Sequence, residues 1–283
     1  MFSHLAIAVA VTASTPVVFV SPEEASALIS GSDALVIDAR ASRAEAPYIE
    51  GAVVVDWMGY RDGFFRTGRL DDDLASVRKR LEAIGVSSAR PIVVYGEMAA
   101  GWGDEGRIWW MLRYLGHPRT LILDGGIAAW RSAGLATSDD AAKGSRAGTF
   151  TLAVQPHLRA DWRRVDALRK RPDALVVDVR TREEFDGATP YFAARGGHVP
   201  GAKHLYWSDL INDDGRILPA GNVRQRLARL GADVDTPIVP YCTGGVRSAF
   251  LQAVLLQAGF RQVANYDGSW WDWAGRDEVP VAR

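Results

Sequence analysis

The chain has 283 residues, of which 48% are hydrophobic and 24% charged, with a formal net charge of −1; this is the composition of a globular chain long enough for two domains. A charge near zero with no basic run argues against a nucleic-acid or membrane-surface partner. The one cysteine, Cys242, excludes an internal disulfide, leaves no second thiol to resolve an oxidised first one, and suits a reducing compartment.

The first residues are apolar from Leu5 to Val11 and end in Val-Thr-Ala, but no Lys or Arg precedes them. Without a basic start, residues 1–17 read as an N-terminal arm or extra strand, not as an export signal, and the apolar part is too short to span a membrane. A cytoplasmic chain is therefore expected, with a periplasmic or exported one as the alternative. Asp33-Ala-Leu-Val-Ile-Asp-Ala-Arg40 then reads as a buried strand running into Asp-x-Arg, residues 72–84 as a helix, and Pro91-Ile-Val-Val-Tyr95 as a second strand. A loop from Glu97 to Gly106, carrying Asp104 and Glu105, leads into Arg107-Ile-Trp-Trp110. The stretch from Thr137 to Gly148 is polar and rich in small residues, the mark of a linker.

Beyond the linker the sequence repeats. Asp173-Ala-Leu-Val-Val-Asp-Val-Arg180 answers Asp33 to Arg40, and Val199-Pro-Gly-Ala202 answers Ile49-Glu-Gly-Ala52. Pro237-Ile-Val-Pro-Tyr241 answers Pro91 to Tyr95, and Tyr266-Asp-Gly-Ser-Trp-Trp-Asp-Trp273 answers Leu123 to Trp130. One domain, residues 18–136, has thus been duplicated as residues 149–283. Each copy alternates short apolar strands with helical patterns, which implies an α/β fold with a central, mainly parallel sheet and helices on both faces.

The copies differ where chemistry would sit. In the second, the strand to Tyr241 is followed by Cys242-Thr-Gly-Gly-Val-Arg-Ser248 and then an amphipathic helix to Ala258; in the first, Gly96 takes the place of the cysteine. Gly244 and Gly245 let successive N–H groups turn inward, and the helix adds its positive end, so the turn forms an anion nest around the cysteine's own sulfur. Its thiol should ionise below the free value of ~8.5 and be nucleophilic at neutral pH, with Arg247 as a nearby cation. The plainer reading, a buried core cysteine, fits two adjacent glycines and a following arginine poorly. Ligands of parallel sheets bind beyond the carboxyl ends of the strands, which is where Cys242 stands, and the first copy should wall the cleft above it.

Other repeated residues read better as structure. Asp38 with Arg40, and Asp178 with Arg180, should brace strand ends; His198, with no metal-ligand spacing around it, should bond its own loop; Trp270, Trp271 and Trp273 should pack. No cofactor and no metal are called for.

Together, Cys242 to Val246, Tyr266-Asp-Gly-Ser-Trp-Trp271, Gly197-His-Val-Pro-Gly-Ala202 and Arg107-Ile-Trp-Trp110, set in a duplicated chain, resemble the tandem-domain rhodaneses, the thiosulfate and 3-mercaptopyruvate sulfurtransferases. The resemblance implies two rhodanese-like domains, the first inactive. It also implies that Cys242 takes a sulfane sulfur from a small donor as a persulfide and passes it to cyanide or a thiol, a thioredoxin-like protein included. The substrate-binding set it points to is Thr243, Gly244, Gly245, Val246, Arg247 and Ser248, with Glu184 and Arg195 from the segment after Arg180. Glu184 stands where the family pattern places an arginine, and with Asp104 and Glu105 is expected to face the cleft and disfavour a small dianion. Neutral Thr243 and Gly244 resemble mercaptopyruvate-selective members, whereas Arg247 resembles thiosulfate-type ones. Two rival functions are a cysteine phosphatase, whose loop is one residue longer between Cys and Arg, and a non-catalytic rhodanese-like sulfur carrier or binding protein, usually marked by a lost cysteine.

Overall fold

The computed structural model describes residues 16–63, 67–142 and 146–283; the expected arm over residues 1–17 therefore lies almost wholly outside the described residues. In the first copy a five-stranded parallel sheet runs, edge to edge, Phe19–Val20, Thr120–Leu123, Ile92–Tyr95, Leu35–Asp38, Val53–Val54. The second copy repeats this order with Arg159–Ala160, Asn265–Tyr266, Ile238–Tyr241, Leu175–Asp178 and Lys203–His204, its two pieces joined by a parallel bridge between Ile238 and Val263.

The apolar runs that marked these strands reflect burial on both faces. Along each strand alternate residues enter different cores. Ile37, Ile92, Val94, Val177 and Ile238 belong to one core that is continuous through both copies. Val93 and Tyr95 face a second, and Val176, Val239 and Tyr241 a third. The shared core is centred on two helices, Asp104–Tyr114 and Arg247–Gln257. They cross so closely that a Cβ on Gly106 would overlap the backbone of Phe250. Phe250 is fully buried, with Phe19 and Trp207 set edge-on to its ring. Burial of a side chain that size is worth about 1.5–3 kcal/mol, here used to hold one copy against the other.

The stretch expected to be a linker is strapped to the first copy. Thr137–Ser138 pairs antiparallel with Tyr48–Ile49, the Ala142 amide donates to the Ala52 carbonyl at 2.9 Å, and the Gly148 amide donates to the Glu82 carbonyl at 2.7 Å.

Candidate active site

The strand Ile238–Tyr241 delivers Cys242 to the carboxyl edge of the second sheet, and the helix Arg247–Gln257 begins five residues later. The turn between them needs its glycines. Gly245 has φ 78°, and a Cβ there would overlap the Asp267 carbonyl; a Cβ on Gly244 would overlap the Trp271 ring. The resulting loop points at the sulfur. The Gly245 N–H donates to Cys242 Sγ at 3.1 Å, and the Ser248 hydroxyl lies 3.7 Å away, its proton shared with Asn265 Oδ1 at 2.7 Å.

Cys242 is 1% exposed. Burial alone pushes its thiol up, but the Arg247 charge and donors from Ser248 and Gly244 outweigh it, so the pKa lies below the ordinary 9.0. The cysteine's backbone is held as well: its N–H donates to Ser269 Oγ at 3.1 Å, and its carbonyl accepts from the Trp270 N–H at 3.0 Å. Ser269 is in the left-handed region at φ 52°, an unfavourable place for a side chain that the Tyr266 carbonyl helps to hold by accepting its hydroxyl.

Arg247 borders the cavity at Cys242, but its guanidinium is taken up by internal partners. Its Nη1 and Nη2 meet Glu184 Oε2 and Oε1 at 2.8 and 3.0 Å, and Nη2 also donates to Thr243 Oγ1 at 2.7 Å. Thr243 in turn donates to Glu184 Oε1 at 2.7 Å. Glu184, only 2% exposed, is itself fixed by a reciprocal cap with Thr181 at the start of the helix Arg182–Asp186. Burial favours the protonated carboxyl, yet Arg247 and Thr243 keep it below the usual range. Glu184 is thus an internal partner of the cysteine loop, not a free carboxylate opposing a donor. This corrects the expectation drawn from its place in the chain: Arg247 neutralises the charge.

Arg195 also departs from its expected role. Its guanidinium donates to the carbonyls of Ala274, Trp273, Arg276 and Val279, which ties down the C-terminal segment, and it does not line the cavity at Cys242. Val246 does line it, as do Thr243, Gly244 and Arg247. The expected braces are present in both copies. Arg180 forks Asp178 with a closest contact of 2.6 Å while Tyr241 donates to the same carboxylate at 2.6 Å; Arg40, Asp38 and Tyr95 repeat this. His198 bonds the Phe185 carbonyl through Nδ1 at 3.0 Å and stacks on the Phe185 ring. Trp270 and Trp273 pack, but Trp271 lines the cavity.

That cavity, of about 250 Å³, opens between the copies, with Cys242 at its base and Trp57, Trp102, Tyr191 and Trp271 among its walls. Trp102 of the first copy meets Tyr191 of the second edge to face at 5.7 Å. The first copy also supports the cysteine loop from behind. A Cβ on Gly68 would overlap the Gly244 carbonyl, and buried Arg107 donates to the Gly68 and Gly245 carbonyls. Asp267 accepts from the Leu70 N–H at 2.8 Å and pairs with Arg159. Of the two acids expected in the cleft, Asp104 lines the cavity, while Glu105 turns to Gly96, where a Cβ would overlap its carboxylate. The two motifs that contain Arg107 and Ser269 were legible in the sequence, but their contacts to the cysteine loop join residues too far apart in the chain to be read there.

A cysteine nest at the strand end of one of two duplicated sheets defines a tandem rhodanese-like protein. The sequence matches the Rhodanese-like domain over residues 21–133 and 161–276, and the chain belongs to that family. It is 30% identical over 221 residues to thiosulfate/3-mercaptopyruvate sulfurtransferase 1 of Arabidopsis thaliana, a match covering 70% of this chain and 58% of the plant protein. It is 32% identical over 213 residues to a probable 3-mercaptopyruvate sulfurtransferase of Pseudomonas aeruginosa, covering 74% of each. Among solved structures, an anaerobic ergothioneine biosynthesis enzyme from Chlorobium limicola superposes over 93% of this chain and 69% of its own with a TM-score of 0.83 at 22% identity, a likeness of fold. The chain is an enzyme of the sulfurtransferase class.

Proposed function

We propose that the protein moves a sulfane sulfur from a small anionic donor, thiosulfate or 3-mercaptopyruvate, to cyanide or a thiol through a persulfide on Cys242. The observation that carries this is the Gly245 N–H donating to Cys242 Sγ at 3.1 Å inside a loop that lowers the thiol's pKa, at the base of a cavity. In the first step the Cys242 thiolate attacks the donor's transferable sulfur. The bond from that sulfur to the rest of the donor breaks, and its electron pair leaves with the departing group, as sulfite in the case of thiosulfate. In the second step the acceptor attacks the outer sulfur of the Cys242 persulfide, and the S–S bond breaks to return the thiolate.

No base is required, because the nucleophile enters each cycle ionised and the outer sulfur's charge meets oriented N–H donors. Thr243, Gly244, Gly245, Val246, Arg247 and Ser248 shape that nest, Arg247 through its charge and Glu184 by fixing Arg247. The phosphatase alternative is disfavoured by a loop that closes on a single sulfur. A thioredoxin-like protein is a suitable thiol acceptor, and a lone thiol of this kind suits the cytoplasm. Among the described residues no helix is long and apolar enough to cross a membrane.

The test is intact mass after donor treatment. One added sulfur on the wild type, removed by cyanide and absent from Cys242→Ser, is the expected result; equal gain by both proteins, or by neither, refutes the mechanism.

A further inference from the structure

Three arginines line the cavity above Cys242: Arg40, Arg43 and Arg247. Two are closed off. Arg40 is 3% exposed and forks Asp38, and Arg247 is equally buried and forks Glu184. Arg43 differs: its side chain is 36% exposed, and Nη2 donates to Asp104 Oδ2. Among the described residues its other guanidinium nitrogens have no partner.

The duplication explains how Arg43 comes to be there. Asp104 and Arg247 are the first residues of the two equivalent helices, which cross at Gly106 and Phe250. Arg43 and Glu184 each lie on the short helix that follows an Asp-x-Arg brace, Ala41–Arg43 in one copy and Arg182–Asp186 in the other. Arg43 answers Glu183, one place before Glu184, so from neighbouring places on the matched helices the second copy pairs Glu184 with Arg247 and the first pairs Arg43 with Asp104, with the signs exchanged. In the active copy the cation is the inner, buried member; in the supporting copy the acid is inner and the cation outer. The exchange places a half-open guanidinium from one domain over the nucleophile of the other.

We infer that Arg43 is the residue that receives the anionic end of the sulfur donor, so that the copy without a nucleophile determines which donors the other copy accepts. This rests on the sulfurtransferase reading above. Asp104 holds Arg43 in place by one nitrogen and leaves the rest of the fork for a ligand, and a carboxylate is the group a guanidinium meets best. Asp56 and Asp104 share the same walls, so the site favours a donor bearing one carboxylate, set apart from the transferable sulfur, over a compact dianion.

The experiment compares donor charging and persulfide discharge in the full-length protein. Arg43→Gln should raise the KM for 3-mercaptopyruvate about ten- to hundredfold, the effect of losing a charge-assisted contact, with kcat within about twofold. Arg43→Lys should recover part of the affinity. Discharge of the preformed persulfide by cyanide, which is neutral HCN near pH 7, should not change. Asp104→Asn, which keeps an oxygen to accept from Arg43 but removes a negative charge from the wall, should lower the KM several-fold, and it keeps the inference testable should Arg43→Gln fail to fold. An unchanged KM in Arg43→Gln, a kcat that falls with the melting temperature while KM holds, or an unchanged or raised KM in Asp104→Asn overturns the role. A wild-type protein that charges with sulfur while Arg43→Gln charges equally well at low donor refutes this inference alone. A wild type that takes no sulfur from any donor refutes the sulfurtransferase reading and this inference together.

Discussion

Glu184 and Arg247 meet fork to fork, at 2.8 and 3.0 Å, directly behind the loop that holds Cys242. The cation nearest the sulfur is thus compensated before any substrate arrives. Breaking such a buried pair from one side leaves an uncompensated charge, which costs about 3–5 kcal/mol. Glu184→Gln should lower stability by roughly that amount in a denaturant titration, and, with the acid gone, the Cys242 thiolate should form at still lower pH. Glu184→Arg would set two guanidinium groups face to face. It should fail to fold or lose activity with both thiosulfate and 3-mercaptopyruvate, and a several-fold gain with thiosulfate would show that Glu184 faces the donor after all.

The thiol itself gives a pH signature. Its folded pKa lies below 9.0 because Arg247 and the loop donors outweigh burial, so the alkylation rate of Cys242 should reach its half-maximum below that pH. In Arg247→Gln the midpoint should move up by about one unit or more. The fold favours the thiolate, so the stability linked to this group is present above 9.0 and is lost as the pH falls through the folded pKa. A midpoint indifferent to Arg247 would remove that residue from thiolate stabilisation.

Glu105 titrates in the opposite sense. Burial pushes its carboxyl from 4.5 up to about 8, so the folded chain keeps a proton that the unfolded chain gives up. Stability should therefore fall as pH rises from 4.5 toward about 8, and level off above it. Glu105→Gln should flatten that slope, which for one group approaches roughly 1.4 kcal/mol per pH unit. Parallel stability–pH curves for the two proteins would contradict the assignment.

Support from the first copy can be tested without cutting the chain. Gly68 lies against the Gly244 carbonyl with no room for a methyl group. Gly68→Ala should displace the cysteine loop and cut kcat/KM about tenfold or more, since small misplacements at a reacting atom are costly, while circular dichroism shows the fold kept. Full activity would show that the contact is incidental.

The sequence made the strands and the nest legible for physical reasons. Strands such as Leu35–Asp38 and Ile238–Tyr241 are buried on both faces and so read as unbroken apolar runs. The nest requires glycines at positions adjacent in the chain to its cysteine. The partners of the charged residues were not legible in the same way. Glu184 meets Arg247 across 63 residues, and Arg43 meets Asp104 across 61. Their proximity comes from strands that lie side by side, Leu175–Asp178 against Ile238–Tyr241 and Leu35–Asp38 against Ile92–Tyr95, not from local pattern. Arg195 followed the same rule, because nothing near it in sequence announces the four carbonyls it serves at the far end of the chain. One sign was available: aligning the two copies by the first residue of their central helices sets Asp104 opposite Arg247, an exchange of charge at equivalent places.

Glu105 also bears on what residue 96 can be. Its carboxylate occupies the space that a side chain on residue 96 would need, and Gly96 is the counterpart of Cys242. Placing a cysteine there by Gly96→Cys would drive Cβ into that carboxylate. Shortening Glu105 first would open a void beneath a glycine. Positions 96 and 105 are therefore coupled: a side chain at the first is accommodated only as the carboxylate at the second turns away or is shortened, so each limits what the other can become.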